Sequence, residues 1–450
     1  MPAIRRSDDT PGLSATKVPV SATLAGAEIL NRRRAAGLPV LPMAFGEAGL
    51  PVAPVLREKL ASAAGRGGYG PVAGSESLRS AAAGYWTRRG LPTDPGQVIC
   101  GPGSKPLLYA LLLAIGGPVA IPQPSWVSYA AQSRMTGGSP VPIPILPGEG
   151  GVPDPGRLAA AAVRAKAAGN RLRAVIVTLP DNPTGTLATP ETIRRLCEVA
   201  RGHDLLIISD EIYRDLVHEP ARAYLSPAWV APERTVITSG LSKNLALGGW
   251  RIGVTRLPMR SPLGANLLGV ASELWSSAAA PVQEAAAYAF TEPPELTERI
   301  TRSRVLHATV ARAVATAFRA AGATVPEPAG AFYLYPDFEP LRPLLESTHG
   351  IRTAQSLAGF LLELYGVGTL AGSSFGESSD ALRLRVATSL LYGQTDEERT
   401  AALDAADPLA LPWIAASLTR LTEILTEVTN SPAKPRRSRL PLVPRIATAT

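Results

Sequence analysis

Four polar side chains of the kinds used in catalysis follow three apolar runs of the sequence: Asn182, Asp210, Tyr213 and Lys243. The amine of Lys243 can act as a nucleophile and move a proton, and a carboxylate such as Asp210 can keep a basic nitrogen of a bound ligand protonated. Small residues frame the lysine and let a ligand approach the backbone; they are Gly240, Ser242, Gly248 and Gly249. A lysine in a turn would mean little alone, so the prediction depends on the elements that position it.

The three apolar runs are expected to be strands of one sheet. Residues 174–179, 205–209 and 234–238 are nearly continuous apolar stretches, which is typical of strands buried on both faces of a parallel sheet. A helix predicted over 191–201 separates the first two. Because ligands bind outside the carboxyl ends of the strands in an open α/β sheet, the four polar side chains are expected to meet at one sheet edge.

A glycine-rich turn precedes a strongly apolar predicted helix over 106–115. Glycines that open a helix present free backbone N–H groups and the positive end of the helix dipole, which suits a phosphate. Gly103 and the hydroxyl of Ser104 are the candidate phosphate-binding groups. Lys105 either adds positive charge there or is a solvated side chain.

The segment around Lys243 resembles a known attachment site. The spacing G-L-S-K followed by G-x-R-I-G is similar to the pyridoxal-phosphate site of the class I/II aminotransferases, over roughly residues 40 to 425. The resemblance implies a fold-type I enzyme: an α/β large domain with a mainly parallel, seven-stranded-type sheet flanked by helices, and a smaller α+β domain. It also implies that Lys243 holds pyridoxal 5′-phosphate as a Schiff base.

The resemblance assigns roles around the cofactor ring. Asp210 keeps the pyridine nitrogen protonated, Asn182 and Tyr213 bond the 3′-oxygen, and the ring of Trp126 stacks on the pyridine. Without the resemblance, Trp126 would be interpreted as an aromatic residue of the core. Tyr129 is a weaker candidate for the same stacking role.

The cofactor phosphate is expected at the turn that contains Gly103, Ser104 and Lys105. In the resemblance Arg251 clamps this phosphate, and Ser242 adds a donor. One departure is Gly240, where many family members carry serine; this removes one hydrogen bond from the expected set.

The substrate side is expected near Gly46, at a turn after a short strand, together with Asn182. The run 382–387 predicts a strand in which alternation puts Arg383 and Arg385 on one face. The resemblance places one arginine here against the substrate α-carboxylate, because the planar guanidinium suits a carboxylate. Register favours Arg383 and leaves Arg385 as the alternative.

The Gly-rich segment 65–79 contains one aromatic residue, Tyr69. By itself it predicts a flexible turn before a helix. In dimeric aminotransferases, a tyrosine placed in this way reaches the phosphate site of the neighbouring subunit. The resemblance therefore implies a homodimer with shared active sites.

The predicted function is the transfer of an amino group between an α-amino acid and a 2-oxo acid. An alternative uses the same residues as a lyase or synthase in specialised metabolism, by β- or γ-elimination or in the manner of aminocyclopropane-carboxylate synthase. A regulator that fuses this fold to a DNA-binding domain is disfavoured, since the arm before residue 40 is too short for a winged helix.

Charge and composition exclude several other classes. The formal net charge is +8, but much of the excess lies near the two ends, so no central basic stripe indicates nucleic-acid binding. The four histidines show no metal-ligand spacing, and Cys100 and Cys197 are expected to be reduced core residues. The apolar run 107–121 is interrupted and too short for a membrane span, and no signal peptide is apparent. A cytoplasmic location is expected.

The chain is expected to have five parts. Residues 1–20 form a flexible arm, 21–55 the N-terminal part of the small domain, and 56–293 the large cofactor-binding domain. Residues 294–428 complete the small domain, and 429–450 form a basic disordered tail.

Overall fold

The structure is a computed structural model that describes residues 22–430, so the expected N-terminal arm and nearly all of the basic tail lie outside the described residues. Helices and strands alternate through its first two thirds. The strands of the described residues are β1 (Leu41–Pro42), β2 (Val98–Gly101), β3 (Val119–Gln123), β4 (Pro140–Pro144), β5 (Ala174–Thr178), β6 (Leu206–Asp210), β7 (Thr235–Gly240), β8 (Gly253–Arg256), β9 (Tyr333–Leu334), β10 (Val367–Gly368), β11 (Leu370–Ala371) and β12 (Leu384–Ala387).

The helices cover the central sheet and build the rest of the described chain. They are α1 (Ala22–Ala35), α2 (Pro54–Ala63), α3 (Glu76–Arg88), α4 (Ser104–Ile115), α5 (Val127–Met135), α6 (Pro155–Ala167), α7 (Pro190–Gly202), α8 (Pro227–Val230), α9 (Leu263–Leu274), α10 (Ala280–Phe290), α11 (Pro294–Ala320), α12 (Arg342–His349), α13 (Ala354–Tyr365), α14 (Asp396–Asp404) and α15 (Pro412–Asn430). Within residues 22–430, none of them combines the length and the apolar character needed to cross a membrane.

The central sheet has seven strands in the order β2-β8-β7-β6-β5-β3-β4. All neighbours are parallel except β8, which runs antiparallel to both β2 and β7. Every residue of β5 and β7 is buried, and β6 is buried after its first residue. This burial on both faces explains the continuous apolar runs and confirms the predicted α/β class.

Register aligns the carboxyl ends of the three central strands. Thr178 at the end of β5 pairs with Asp210 at the end of β6, and Asp210 pairs in turn with Thr238 of β7. The chain segments that follow these residues therefore leave the sheet along one edge. The candidate side chains are delivered there, as the apolar runs predicted.

A second core lies outside the large sheet. Leu41 and Met43 pack in the same cluster as side chains from α11 onward, such as Val310 and Phe318. Two small sheets accompany this core: β11-β12-β9, which is antiparallel, and the parallel pair β1-β10. The shared cluster supports a small domain built from both ends of the chain, although the expected domain bounds remain a prediction.

Strands in this second part are short. β9 has two residues, and β10 and β11 have two residues each and belong to different sheets. The predicted strand 382–387 begins only at Leu384, so Arg383 precedes it. The difference matters for the substrate side of the site.

Candidate active site

One cavity collects ten of the predicted site residues. It has a volume of about 560 Å³ at the carboxyl edge of the central sheet. Its predicted members are Gly46, Ser104, Lys105, Trp126, Asn182, Asp210, Tyr213, Ser242, Lys243 and Arg251. A larger cavity of about 930 Å³ borders it at Phe45 and Glu47, but that cavity contains none of the strand-end polar groups.

Asp210 ends β6 at the bottom of the cavity and is almost fully buried. Its Oδ2 accepts a hydrogen bond of 2.8 Å from the hydroxyl of Tyr129, which is also 2.8 Å from the Thr178 hydroxyl. Its Oδ1 is buried and has no partner among the described residues. Burial raises the pKa of Asp210 to about 6. A carboxylate held in this way is suited to a cationic nitrogen of a bound ring.

The next two strand-end groups face each other. Asn182 lies in the turn after β5, and its Nδ2 donates to the hydroxyl of Tyr213 at 3.4 Å. The Oδ1 of Asn182 is buried without a partner in the described chain. Tyr213 is buried, and burial raises its pKa well above the ordinary value, so it is a neutral donor at physiological pH.

Lys243 follows β7 and points toward the N-terminal segment. Its Nζ donates a 2.6 Å hydrogen bond to the carbonyl of Gly46. Burial lowers the pKa of Lys243 to about 8, with Arg385 and Arg251 acting in the same direction and Glu47 opposing them. A substantial fraction of the amine is therefore neutral near physiological pH, as a nucleophile or proton acceptor requires.

One end of the cavity is suited to an anion. Helix α4 begins at Ser104, and Gly103 precedes it with a φ of +104°. A Cβ on Gly103 would overlap the guanidinium of Arg251, so the glycine lets that side chain lie against the helix N-terminus. Lys105 lies nearby, with its Nζ 5.0 Å from the centre of the Trp126 ring. The free N–H groups and the Arg251 guanidinium make this the natural place for a phosphate, and Lys105 adds a second cation beside it.

The structure places the two candidate substrate arginines in different environments. Arg383 does not line the cavity; it binds Asp337 at 2.8 Å and Glu377 at 2.7 Å, and its side chain is 40% exposed. Arg385 lines the cavity, is 1% exposed, and donates to the carbonyl of Ala44. Register against the family pattern favoured Arg383, but this residue lies before β12 and is bound there by two acidic side chains.

Tyr69 also lies outside this cavity. Its side chain is 94% exposed on the loop before α3. It therefore makes no contribution to the site of its own chain in the described structure, which is the placement expected of a residue that serves a second copy.

Three residues that line the cavity make contacts that the sequence analysis did not predict. Tyr129, expected at most to stack, instead bonds Asp210, and Thr178 bonds Tyr129. Tyr333 bonds the hydroxyl of Tyr213 at 2.8 Å. Tyr129 could have been found from the sequence, since it lies three residues after Trp126 in the W-V-S-Y segment at the start of α5. No pattern in the sequence near Tyr333 indicated that it belongs to the site.

The chain is similar to known proteins over most of its length. A sequence model of the family described as aminotransferase class I and II matches residues 43–403. The chain is 34% identical over 390 residues to aspartate aminotransferase of Geobacillus stearothermophilus, covering 84% of this chain and 95% of the relative. It is 33% identical over 385 residues to aspartate/prephenate aminotransferase of Thermus thermophilus, covering 82% and 92%.

The fold has a matching solved structure. Aspartate aminotransferase from Thermus thermophilus with maleate superposes with a TM-score of 0.76 at 28% identity, over 90% of this chain and 97% of that chain. The expected fold class and family resemblance are therefore confirmed. The chain belongs to the class I and II aminotransferase family, and it is an enzyme that transfers amino groups.

Proposed function

We propose that this aminotransferase uses pyridoxal phosphate bound at Lys243 and exchanges the amino group of a dicarboxylic amino acid, such as aspartate, with a 2-oxo acid. The observation that carries the proposal is Arg385. It is a buried guanidinium in the same cavity as Lys243, and no carboxylate of the described residues pairs with it. Its Nε has no partner there. A buried cation in this state is suited to a ligand carboxylate.

The unpartnered atoms of the cavity fit the cofactor ring. Oδ1 of Asp210 is free to accept from a protonated ring nitrogen, and Asn182 with Tyr213 would bond the 3′-oxygen. Trp126 lines the same cavity as a stacking surface. When bound, pyridoxal phosphate supplies a carbonyl that condenses with amines and a ring that accepts electrons.

The anion end of the cavity fits the cofactor phosphate. Gly103 and Ser104 would contribute the helix N-terminus and a hydroxyl, Arg251 a guanidinium, and Ser242 a second hydroxyl. None of the acidic residues that line the cavity belongs to this end, since Asp210 ends β6 and Glu47 lies beside Gly46. A dianionic group is therefore met by positive charge alone.

In the proposed reaction, two cations bind the substrate and one amine moves its proton. Arg385 would bind the α-carboxylate and orient the Cα–H bond toward Lys243. The Lys243 amine, once released, would take the proton from Cα. Lys105 would bind the second carboxylate; burial and the neighbouring Arg251 lower its pKa, which is the effect expected of a cation lacking an anionic partner.

The substrate class is supported by the relatives. Those compared above have names that specify aspartate, and one name adds prephenate. These names describe the relatives; for this chain they support the choice of a dicarboxylic substrate, to which Lys105 and Arg385 give a physical basis. The lyase and synthase alternative is not favoured by them.

We also propose a homodimer in which Tyr69 completes the partner's phosphate site. Tyr69 is almost fully exposed on its own chain and lies outside its own cavity. A large aromatic side chain in that state suits a contact with another surface.

We also propose a cytoplasmic location, supported by Cys100 and Cys197, which are buried free thiols as expected in a reducing compartment.

The decisive experiment is an absorbance spectrum of the purified protein supplied with pyridoxal phosphate, with Lys243→Ala as the control. We expect a visible band that the variant lacks and that a suitable amino acid converts to a pyridoxamine band. Ammonia release without a pyridoxamine band would indicate the lyase alternative. Absence of a visible band in the supplied wild type would overturn the proposal.

The substrate class has its own test in Lys105→Ala. We expect KM for aspartate to rise at least about tenfold, whereas KM for alanine, which has no second carboxylate, should stay within about twofold. Steady-state kinetics with both amino acids makes the comparison. An equal rise for both substrates would show that Lys105 serves the cofactor phosphate instead.

A further inference from the structure

Tyr333 is a buried residue of the cavity to which nothing above assigns a role. Its hydroxyl lies 2.8 Å from the hydroxyl of Tyr213, and the two rings cross at 86° with centroids 5.5 Å apart. The side chain is 1% exposed. Among the described residues, Tyr213 is the one hydrogen-bond partner of this hydroxyl.

Three separate segments fix the position of Tyr333. A Cβ on Gly46 would overlap its hydroxyl, and a Cβ on Gly185 would overlap its backbone carbonyl. Register pairs Tyr333 with Ala387, two residues after Arg385. The two glycines belong to the turns that contain the Lys243 acceptor and Asn182, so the tyrosine is fixed relative to the rest of the site.

The neighbours of the two hydroxyls determine which one donates. The Asn182 amide can only donate to Tyr213, so it offers no acceptor for the Tyr213 proton. If Tyr213 donated to Tyr333, the Tyr333 proton would have no acceptor among the described residues. If Tyr333 donates, both protons can be used, because the Tyr213 proton is left for a third acceptor in the cavity.

Arg385 also favours donation from Tyr333 to Tyr213. Its Cζ lies 5.0 Å from the centre of the Tyr333 ring. Burial raises the pKa of Tyr333, while the guanidinium acts to lower it; burial raises the pKa of Tyr213 well above the ordinary value. The cation therefore makes Tyr333 the better donor of the two.

We propose that Tyr333 is a positioning residue: it donates to Tyr213 and thereby directs the Tyr213 proton to the 3′-oxygen of the bound cofactor. This inference rests on the proposed function, since it concerns the same cofactor. Tyr333 contacts Arg385 on one side and Tyr213 on the other, so it connects the carboxylate-binding end of the cavity to the cofactor end.

The test is the pH dependence of the visible band of the full-length, cofactor-loaded protein. Donation to the 3′-oxygen stabilises its anion and favours the deprotonated form of the chromophore. Because Tyr333→Phe weakens that donation by one neutral hydrogen bond, we expect the midpoint to rise by about half to one pH unit. In a Tyr213→Phe background, the same substitution should produce no further shift, because its effect passes through Tyr213.

Tyr335→Phe is the matched control. It removes a buried hydroxyl two residues along the same segment, where Tyr335 donates to Glu377 at 2.7 Å outside the cavity. We expect its midpoint to equal that of the wild type. Gly46→Ala is a second variant that keeps the phenol but forces it to move, and it should raise the midpoint in the same direction.

Each outcome decides the inference. An unchanged midpoint in Tyr333→Phe, a shift that persists without the Tyr213 hydroxyl, or an equal shift in Tyr335→Phe would overturn it. A wild-type protein without a visible band would overturn the proposed function itself, which separates the two failures.

Discussion

Arg383 and Arg385 are two residues apart and have opposite environments. The first is half-exposed and bound by Asp337 and Glu377, and the second is buried beside aromatic rings with no acidic partner in the described chain. An arginine already paired with two carboxylates has little to gain from a third. The free guanidinium is therefore the one suited to substrate.

This contrast predicts different outcomes for two alanine substitutions. Arg385→Ala should lower kcat/KM for the amino acid by about 30-fold or more, since losing one partner of a buried charged pair costs roughly 2–5 kcal/mol. Arg383→Ala removes two partly exposed ion pairs, typically worth about 0.2–1 kcal/mol each, and should leave KM unchanged. Kinetics and thermal unfolding of both variants check this; a larger kinetic loss in Arg383→Ala would reverse the assignment.

The acidity of Lys243 can be measured without cofactor. Because its pKa is lowered to about 8, the amine is protonated below that pH and neutral above it. Acetylation of Lys243 by acetic anhydride, followed by mass spectrometry, should level off above about pH 8–9. In urea-unfolded protein the same peptide should keep gaining reactivity up to about pH 10, near the ordinary lysine value. Matching profiles would contradict the lowered pKa.

At the scale of elements, the turn after β5 requires glycine for a specific contact. Gly185 ends the N-P-T-G turn with a φ of +70°, and a Cβ there would overlap the carbonyl of Tyr333. The turn that positions Asn182 is thus packed directly against β9 of the small sheet. Gly169 has the same φ of +70° but open space around it.

Comparing Gly185→Ala with Gly169→Ala separates the cost of left-handed backbone strain from the cost of steric overlap. Gly169→Ala should cost about 1–2 kcal/mol of unfolding free energy, because it adds only the left-handed backbone penalty. Gly185→Ala should cost clearly more and also weaken cofactor binding, since either the turn or β9 must move. Chemical denaturation and cofactor titration measure both effects. Equal destabilisation by the two substitutions would show that the contact between Gly185 and Tyr333 can rearrange with no loss of unfolding free energy.

At the scale of the whole molecule, active sites shared between two subunits predict that mixed dimers of two inactive variants recover activity. If Tyr69 serves the partner's site, Lys243→Ala and Tyr69→Ala homodimers are both impaired. A hybrid dimer has one site with both defects and one intact site. Random mixing makes half of the dimers hybrid, so unfolding and refolding an equimolar mixture should restore about a quarter of wild-type activity. No recovery, with dimers verified by light scattering, would place Tyr69 in its own site or outside the chemistry.

The sequence by itself determined the fold class and the site on the central sheet. Short continuous apolar runs separated by predicted helices are typical of strands buried on both faces of a parallel sheet, and the carboxyl ends of such strands share an edge. Asn182, Asp210, Tyr213 and Lys243 follow those ends directly, so their meeting required only local pattern and chain order. The structure brings them into one cavity.

Only the tertiary structure decided which side chains are free and which are paired. Glu377 and Asp337 bind Arg383 from other segments, Tyr129 bonds Asp210 across 81 residues, and Tyr333 bonds Tyr213 across 120. Periodicity gives the face of a strand but carries no information about the partners that distant segments bring. Hydrogen bonds and ion pairs depend on those partners. The proposal of Arg385 for the substrate, and the contact of Tyr333 with Tyr213, therefore required the packed chain.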